Sequence, residues 1–266
     1  MANIIQNVRL AQEFIYFRCT AKSAVGYGIH SPFVYDFARK VVRSSKSIEL
    51  IREVEWFRNW QENTPIELAP SNFGAGSKNQ KKPEKLSKII QNSSVSKKTG
   101  AFLYRLAKWA NAINILEIGT SVGISTMYLA SSNPNANVVT LEGDLRRTKV
   151  AQNSFDLFDL PNIKIIEGDF ELGLSEALQS LPSVDLVFFD GNHKAEPTLR
   201  YFKQCSENVH ENTVFVFDDI RWSKEMFNAW TVIANHQNVS LSIDLFSMGV
   251  IFFRKGIKKQ HMKINF

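Results

Sequence analysis

The stretch ILEIGTSVGIST, Ile115 to Thr126, decides the fold. Four apolar or acidic residues of strand character run into a glycine, and a helical pattern opens four residues later. A glycine turn between strand and helix lets the backbone approach a ligand and points helical N–H groups at it. The spacing is G-x-x-x-G, with Gly119 and Gly123 enclosing Thr120 and Ser121. It is not the G-x-G-x-x-G that a pyrophosphate-binding turn requires. Glu117, two residues before Gly119, suits a cationic ligand better than a diphosphate.

Outward from this turn, short apolar runs alternate with helical segments. Strands are expected at Ile113–Ile118, Asn137–Leu141, Ile163–Ile166, Val184–Phe189 and Thr213–Phe217. Helices are expected from about residue 99 to 111, from near Gly123, Leu145, Glu171 and Glu196, and over Ser223–Asn235. Such alternation implies an α/β domain with a parallel sheet covered on both faces. Val239–Phe246 and Gly249–Arg254 are joined only through Ser247 and Met248, which permits an antiparallel hairpin alone.

Two further strands end in acids. Glu142 closes VVTLEGD and follows Gly119 by 23 residues. An acid about 20 residues on can hydrogen-bond a ribose diol. Asp169 and Phe170 follow the next strand in IIEGDF, an acid and a ring able to hold an adenine by its amine and its face. These motifs, in order at three strand ends over roughly Ala101 to Arg254, resemble class I S-adenosylmethionine methyltransferases. The resemblance implies Glu117–Gly123 around the methionine part, including Gly119, Thr120 and Ser121, with Glu142 on the ribose and Asp169-Phe170 by the adenine. It also implies a Rossmann-like seven-stranded sheet of order 3-2-1-4-5-7-6, strand seven antiparallel.

The fourth strand leads into FFDGNH, with Asp190 at its end and His193 three residues later. The fifth ends in Asp218 and Asp219. Strands one and four flank the switch point of such a sheet, where ligands bind beyond the carboxyl ends. Three carboxylates converging there repel one another, and a divalent cation with hard oxygen ligands resolves the repulsion. His193 suits a general base. This region is similar to metal-dependent O-methyltransferases of the catechol and macrolide-sugar types. That resemblance implies Asp190, Asp218 and Asp219 as ligands of Mg2+ or another divalent cation, and Asp190 and His193 as catalytic residues. The competing readings are that Asp218-Asp219 cap the following helix and that His193 only bonds within its loop. Trp222 and Met226 are read equally as acceptor-pocket lining and as core.

Residues 1–98 are expected to form a helical cap with a lysine-rich loop, and 99–266 the methyltransferase domain. Ile4, Ile5, Val8, Ala11, Ile15 and Cys19 recur at helical spacing and predict one buried face over residues 3–20. A membrane-surface helix is the lesser reading. GYGIHSP breaks it, and helices follow over about 33–42 and 48–60. The HSPF segment (His30 to Phe33) and the FGAGS loop (Phe73 to Ser77) resemble a narrower group of bacterial methyltransferases.

The chain's 266 residues carry a net charge of +6. Between Ser71 and Lys98 lie seven lysines against one acid, and Arg254, Lys255, Lys258, Lys259 and Lys263 form a basic close. No aromatics interleave with them as base stacking requires. Nucleic acid is therefore ranked below a small-molecule hydroxyl acceptor, though methylation of RNA or another polyanion stays open, as do a cofactor-binding domain without catalysis and self-association. The lysine-rich stretch, residues 74–98, is expected to close over the bound substrates as lids do. No apolar run nears the roughly 18–20 residues of a membrane span. With two cysteines far apart, Cys19 and Cys205, a reducing cytoplasm is the expected compartment.

Overall fold

In a computed structural model, residues 2–43, 49–70 and 82–266 are described. The FGAGS stretch, Lys78 and Lys81 lie outside them. Five parallel strands form the heart of the sheet: β1 (Asn114–Ile118), β2 (Asn137–Glu142), β3 (Ile163–Glu167), β4 (Val184–Phe189) and β5 (Val209–Phe217). The hairpin β6 (Leu241–Asp244) and β7 (Gly249–Phe252) follows, then β8 (Gln260–Lys263). The order is β3-β2-β1-β4-β5-β7-β6-β8, with β7 antiparallel to both neighbours. The expected seven-strand order is present, extended by one strand that the sequence reading left as a basic tail. Four lysines in residues 255–263 obscured the inward alternation of Met262 and Ile264. In the structure β8 runs parallel to β6, the Ser242 hydroxyl meets His261 Nδ1 at 2.7 Å, and Ile264 is fully buried.

The helices are α1 (Ala2–Thr20), α2 (Pro32–Phe37), α3 (Glu49–Asn63), α4 (Leu86–Ser93), α5 (Lys97–Trp109), α6 (Ile124–Ala130), α7 (Leu145–Leu157), α8 (Phe170–Ser180), α9 (Ala195–Cys205) and α10 (Lys224–Ala234). A single π turn, Ala38–Val42, continues α2. Strand side chains alternate between two cores, as a period of two dictates. Ile115, Val138, Phe188 and Val216 join a cluster with Phe37, Phe57, Phe102 and Phe155 from the N-terminal helices and α5–α7. Leu116, Val139, Phe189 and Phe217 join another with Leu174, Phe202 and Trp230 from α8–α10. Residues on both sides of position 98 thus share the first core.

The expected buried face of α1 is corrected. Val8, Ala11, Ile15 and Cys19 are exposed, and among the described side chains of α1 Phe17 is the buried one, those of Ile4 and Ile5 lying outside the described ones. Phe14 and Phe17 dock edge-on against Phe246, at 4.9 and 5.4 Å between ring centroids. Aromatic docking overrides the aliphatic stripe, because rings bury more area per residue and add favourable edge contacts. Among the described residues, no helix is long and apolar enough to cross a membrane.

Candidate active site

Register brings the site together. Ile118 pairs with Leu141 and with Phe189, and Phe189 with Phe217. The next residues along these aligned strands are Gly119, Glu142, Asp190 and Asp218, so the four predicted strand ends meet along one rim. Gly119 has φ +109, and a Cβ there would stand 2.8 Å from the Asp190 carbonyl oxygen. Only glycine allows this turn to lie so close to the β4 tip.

Glu117 is fully buried on the α6 side of the sheet. Thr126 and Thr140 both donate to its Oε2, the latter at 2.7 Å. Thr140 thereby spends its only proton, so Thr120 is the donor in the 2.6 Å Thr120–Thr140 contact. The other carboxylate oxygen, Oε1, has no hydrogen-bond partner among the described residues. Burial pushes the Glu117 carboxyl up, against the hydroxyls of Ser125, Thr126 and Thr140 that hold it down. An unmet buried carboxylate oxygen is costly unless a donor arrives. The amine of a ligand supplies one, which agrees with a cationic ligand portion at this turn. Thr126 and Thr140 escaped the sequence reading, since only the fold brings residues 9 and 23 positions away onto Glu117.

Glu142 accepts from Ser121 N at 2.7 Å and from Asp144 N at 2.9 Å. It ties the β1 and β2 turns together, and burial raises its carboxyl. Asp144 in turn caps α7 and pairs with Arg146. Asp169 Oδ1 caps α8, accepting from Glu171 N at 2.9 Å and Leu172 N at 3.3 Å. Phe170 lays its ring against Gly191, just past the β4 tip. Thus the predicted cofactor residues Glu117, Gly119, Thr120, Ser121, Glu142, Asp169 and Phe170 lie along this edge of the sheet, and Gly123 is the N-cap of α6.

On the same rim stand the acids. Burial first, then Asp218, Asp219 and Glu117, drives the Asp190 carboxyl well above the ordinary range. Burial and then Asp219 raise Asp218, and burial raises Asp219 against the pull of His193. No Lys or Arg among the described residues forms an ion pair with any of the three. Helix capping is excluded for the pair, since Ser223 caps α10 by accepting from Met226 N at 3.1 Å. His193 Nδ1 stands 3.8 Å from Asp219 Oδ2, and its ring is tilted against Trp222 at 5.5 Å. Asn192, His193 and Asp219 all have positive φ. Met226 is buried core, whereas Trp222 is 59% exposed beside His193. The acids are hard oxygen donors with unbalanced charge, which suits a divalent cation in kind. As they stand they do not enclose one: among the described residues, no group of three or more His, Cys, Asp or Glu is arranged to hold a metal ion.

A doubly wound sheet of this order, with an acid-lined glycine turn at its switch point, has the Rossmann-like fold also seen in solved O-methyltransferases. Residues 116–220 match the family model described as a methyltransferase domain. The chain is similar to the catechol O-methyltransferase of Niastella koreensis, 31% identical over 136 residues, which is 48% of this chain and 58% of that protein. The catechol O-methyltransferase of Mycobacterium tuberculosis is 31% identical over 133 residues, 47% and 56% of the two chains. The chain thus spans just over half the length of these relatives. In fold it is similar to the O-methyltransferase from Bacillus cereus solved in complex with SAH, with TM-score 0.56 and 19% identity over 82% of this chain and 96% of that one. An O-methyltransferase of tomaymycin synthesis from Streptomyces achromogenes, solved with SAM, gives TM-score 0.56 and 18% identity over 83% and 95%.

Proposed function

We propose that this chain is an S-adenosylmethionine-dependent O-methyltransferase acting on a hydroxyl of a small molecule, with a divalent cation at the acid cluster. Residues 99–266 are the catalytic unit and residues 1–98 its cap. The observation that carries the proposal is the meeting of two unlike half-sites on one rim. One is a glycine turn with a buried carboxylate lacking a donor; the other is an uncompensated acid trio beside a histidine. The two relatives named catechol O-methyltransferase support a hydroxyl acceptor.

In this reading Glu117 binds the amine of the donor's methionine part, and Glu142 offers its remaining lone pairs to the ribose hydroxyls. Phe170 presents a ring face to the adenine. When bound, S-adenosylmethionine supplies an activated methyl, and a cation held by Asp190, Asp218 and Asp219 supplies a Lewis acid that lowers the acceptor hydroxyl's pKa. His193 takes the hydroxyl proton as the oxygen attacks, and Asp219 at 3.8 Å steadies the imidazolium that results. Trp222 walls the acceptor side.

The test is calorimetry with S-adenosylhomocysteine, followed by transfer of labelled methyl to a panel of hydroxyl acceptors beginning with catechol, with magnesium and with chelator. Binding and magnesium-dependent transfer are expected. Failure to bind S-adenosylhomocysteine overturns the donor assignment. Full transfer by metal-free protein in chelator overturns the cation.

A further inference from the structure

Between the acid pair and the wall residue lies Arg221, which no part of the mechanism above uses. Arg221 is only 8% exposed, and the groups around it come from α1, α10 and the β6–β7 hairpin. Asp244, at the end of β6, accepts from Nη1 at 2.8 Å and from Nη2 at 2.6 Å, a two-point fork. The Phe246 carbonyl accepts from Nη1 at 2.6 Å. The rings of Phe227 and Phe246 flank the cation at 4.5 and 4.7 Å, and Phe17 of α1 lies at 5.6 Å. Glu13 of α1 brings Oε2 within 3.7 Å of Nε, which has no hydrogen bond among the described residues.

The segment that carries Arg221 is strained at one position. Asp219 has φ +51, a conformation costly for a residue with a side chain. Three backbone bonds hold the turn among the described residues: Asp218 N to Phe189 O at 2.9 Å, Ile220 N to Ser247 O at 3.0 Å and Trp222 N to Asp219 O at 2.8 Å. The hairpin it leans on is itself bent at Phe246, φ +76, whose N–H also bonds Asp244 at 2.8 Å. Strain of this kind persists only where the surroundings over-determine it. The fork to Asp244 fixes the turn in direction as well as energy, as bidentate charged pairs do.

We propose that Arg221 is the positioning residue of the Asp218–Trp222 turn, holding Asp219 and Trp222 against His193, and that α1 takes part in the active site by closing on Arg221 through Glu13 and Phe17. This rests on the O-methyltransferase reading for its catalytic consequence, though not for its structural one. The N-terminal helix is then more than a cover. Its docking face is the aromatic and acidic face, turned to Arg221, which accounts for Val8, Ile15 and Cys19 being left outside.

Two measurements on the full chain test this. The first is amide hydrogen exchange, which needs no turnover. In Arg221→Lys the ammonium cannot reproduce the planar fork, so exchange at residues 219–222 should rise at least about tenfold while β1 and β4 keep wild-type protection. The second is steady-state transfer with labelled S-adenosylmethionine and catechol. Arg221→Lys should lower kcat about 10–100-fold, as loss of placement does, with KM for the donor within about twofold. That loss should vanish in an Asp219→Asn background, as a shared effect requires. Unchanged exchange at the turn, or a kcat loss that adds to that of Asp219→Asn, overturns the proposal. Should Arg221→Lys not fold, Glu13→Gln replaces it in the exchange measurement: faster exchange at residues 219–222 supports the proposal and wild-type exchange overturns it. A wild-type chain that transfers no methyl, with exchange changed as expected, refutes the enzyme assignment and keeps the positioning role.

Discussion

Substituting Gly119 by alanine tests whether the β1 turn and the β4 tip form one site. Two costs apply. Gly119 has φ +109, and a side chain in such a conformation costs about 1–3 kcal/mol. The new Cβ would also lie 2.8 Å from the Asp190 carbonyl oxygen, 2.9 Å from its carbon and 3.0 Å from Gly191 N. All three are backbone atoms and cannot swing aside, so overlap adds about 1–3 kcal/mol. Gly168 provides the control. Its φ is +120, yet nothing lies within 4 Å of a Cβ there. Gly168→Ala therefore carries the conformational cost alone, about 1–3 kcal/mol. At about 2–4 °C of Tm per kcal/mol for a chain of this size, Gly119→Ala should melt about 5–20 °C below wild type and Gly168→Ala about 2–10 °C below. Calorimetry should show S-adenosylhomocysteine affinity reduced more than about tenfold in Gly119→Ala, because relief of the overlap pushes the glycine turn from the Asp190 tip. Thermal unfolding of the two variants side by side decides the matter. If Gly119→Ala is no less stable than Gly168→Ala and binds the product as wild type does, the close approach does not shape the site.

Glu117→Gln separates stability from binding: burial raises the Glu117 carboxyl, so its charged form burdens the folded state above the ordinary carboxylate pKa and the burden grows as pH rises through the folded value. The variant's Tm should accordingly equal or exceed wild type at pH 8, with the gap shrinking toward pH 4, while S-adenosylhomocysteine binding weakens by about 1–3 kcal/mol. Asp144→Ala removes both the α7 cap and the Arg146 pair, and chemical denaturation should register a loss of about 2–4 kcal/mol. Burial alone would raise Asp144, but Arg146 and Arg147 hold it below its ordinary range. Its contribution is thus present above that range and fades as pH falls through the folded value. His193→Ala should slow transfer about 10²–10⁴-fold with product affinity unchanged, and a wild-type rate would remove it as the base.

The sheet was legible because each strand is an apolar run stopped by glycine or acid, and register does the rest. Gly119, Glu142, Asp190 and Asp218 end aligned strands, so reading strand ends was enough to assemble the rim. What holds those residues was not legible. Thr126 and Thr140 reach Glu117 only after α6 has packed on β1 and β2, and no local pattern marks them. Nor does any local pattern mark Asp144 and Arg146 as the pair that starts α7. On α1 the aliphatic spacing pointed one way, while Glu13, Phe14 and Phe17 found partners in Phe246 and Arg221 more than 200 positions away. A periodicity counts apolar positions; it does not know which face meets a ring. The eighth strand was hidden for the same reason, by lysines that contribute nothing to the inward alternation of Met262 and Ile264.

The placement of strain bears on how the site works. Of the residues with positive φ among those described, more than half lie just past the carboxyl ends of four strands: Gly119, Ser121 and Gly123 after β1, Gly168 after β3, Asn192 and His193 after β4, Asp219 after β5. Several bear side chains for which this conformation is unfavourable. The same rim carries Asp190, Asp218, Glu117 and Glu142, whose carboxyls are all raised, first by burial. Backbone strain and uncompensated charge thus occupy one edge of a sheet whose interior is packed with Phe188, Phe215 and Phe217. A rigid sheet keeps that edge from relaxing, because strands paired on both sides cannot shift register without moving both cores to the wrong faces. A cationic, donor-rich ligand bound there relieves unfavourable terms already built into the free protein. Ligand binding should therefore raise Tm in wild type and do so less in Glu117→Gln, where part of the charge cost has been removed beforehand.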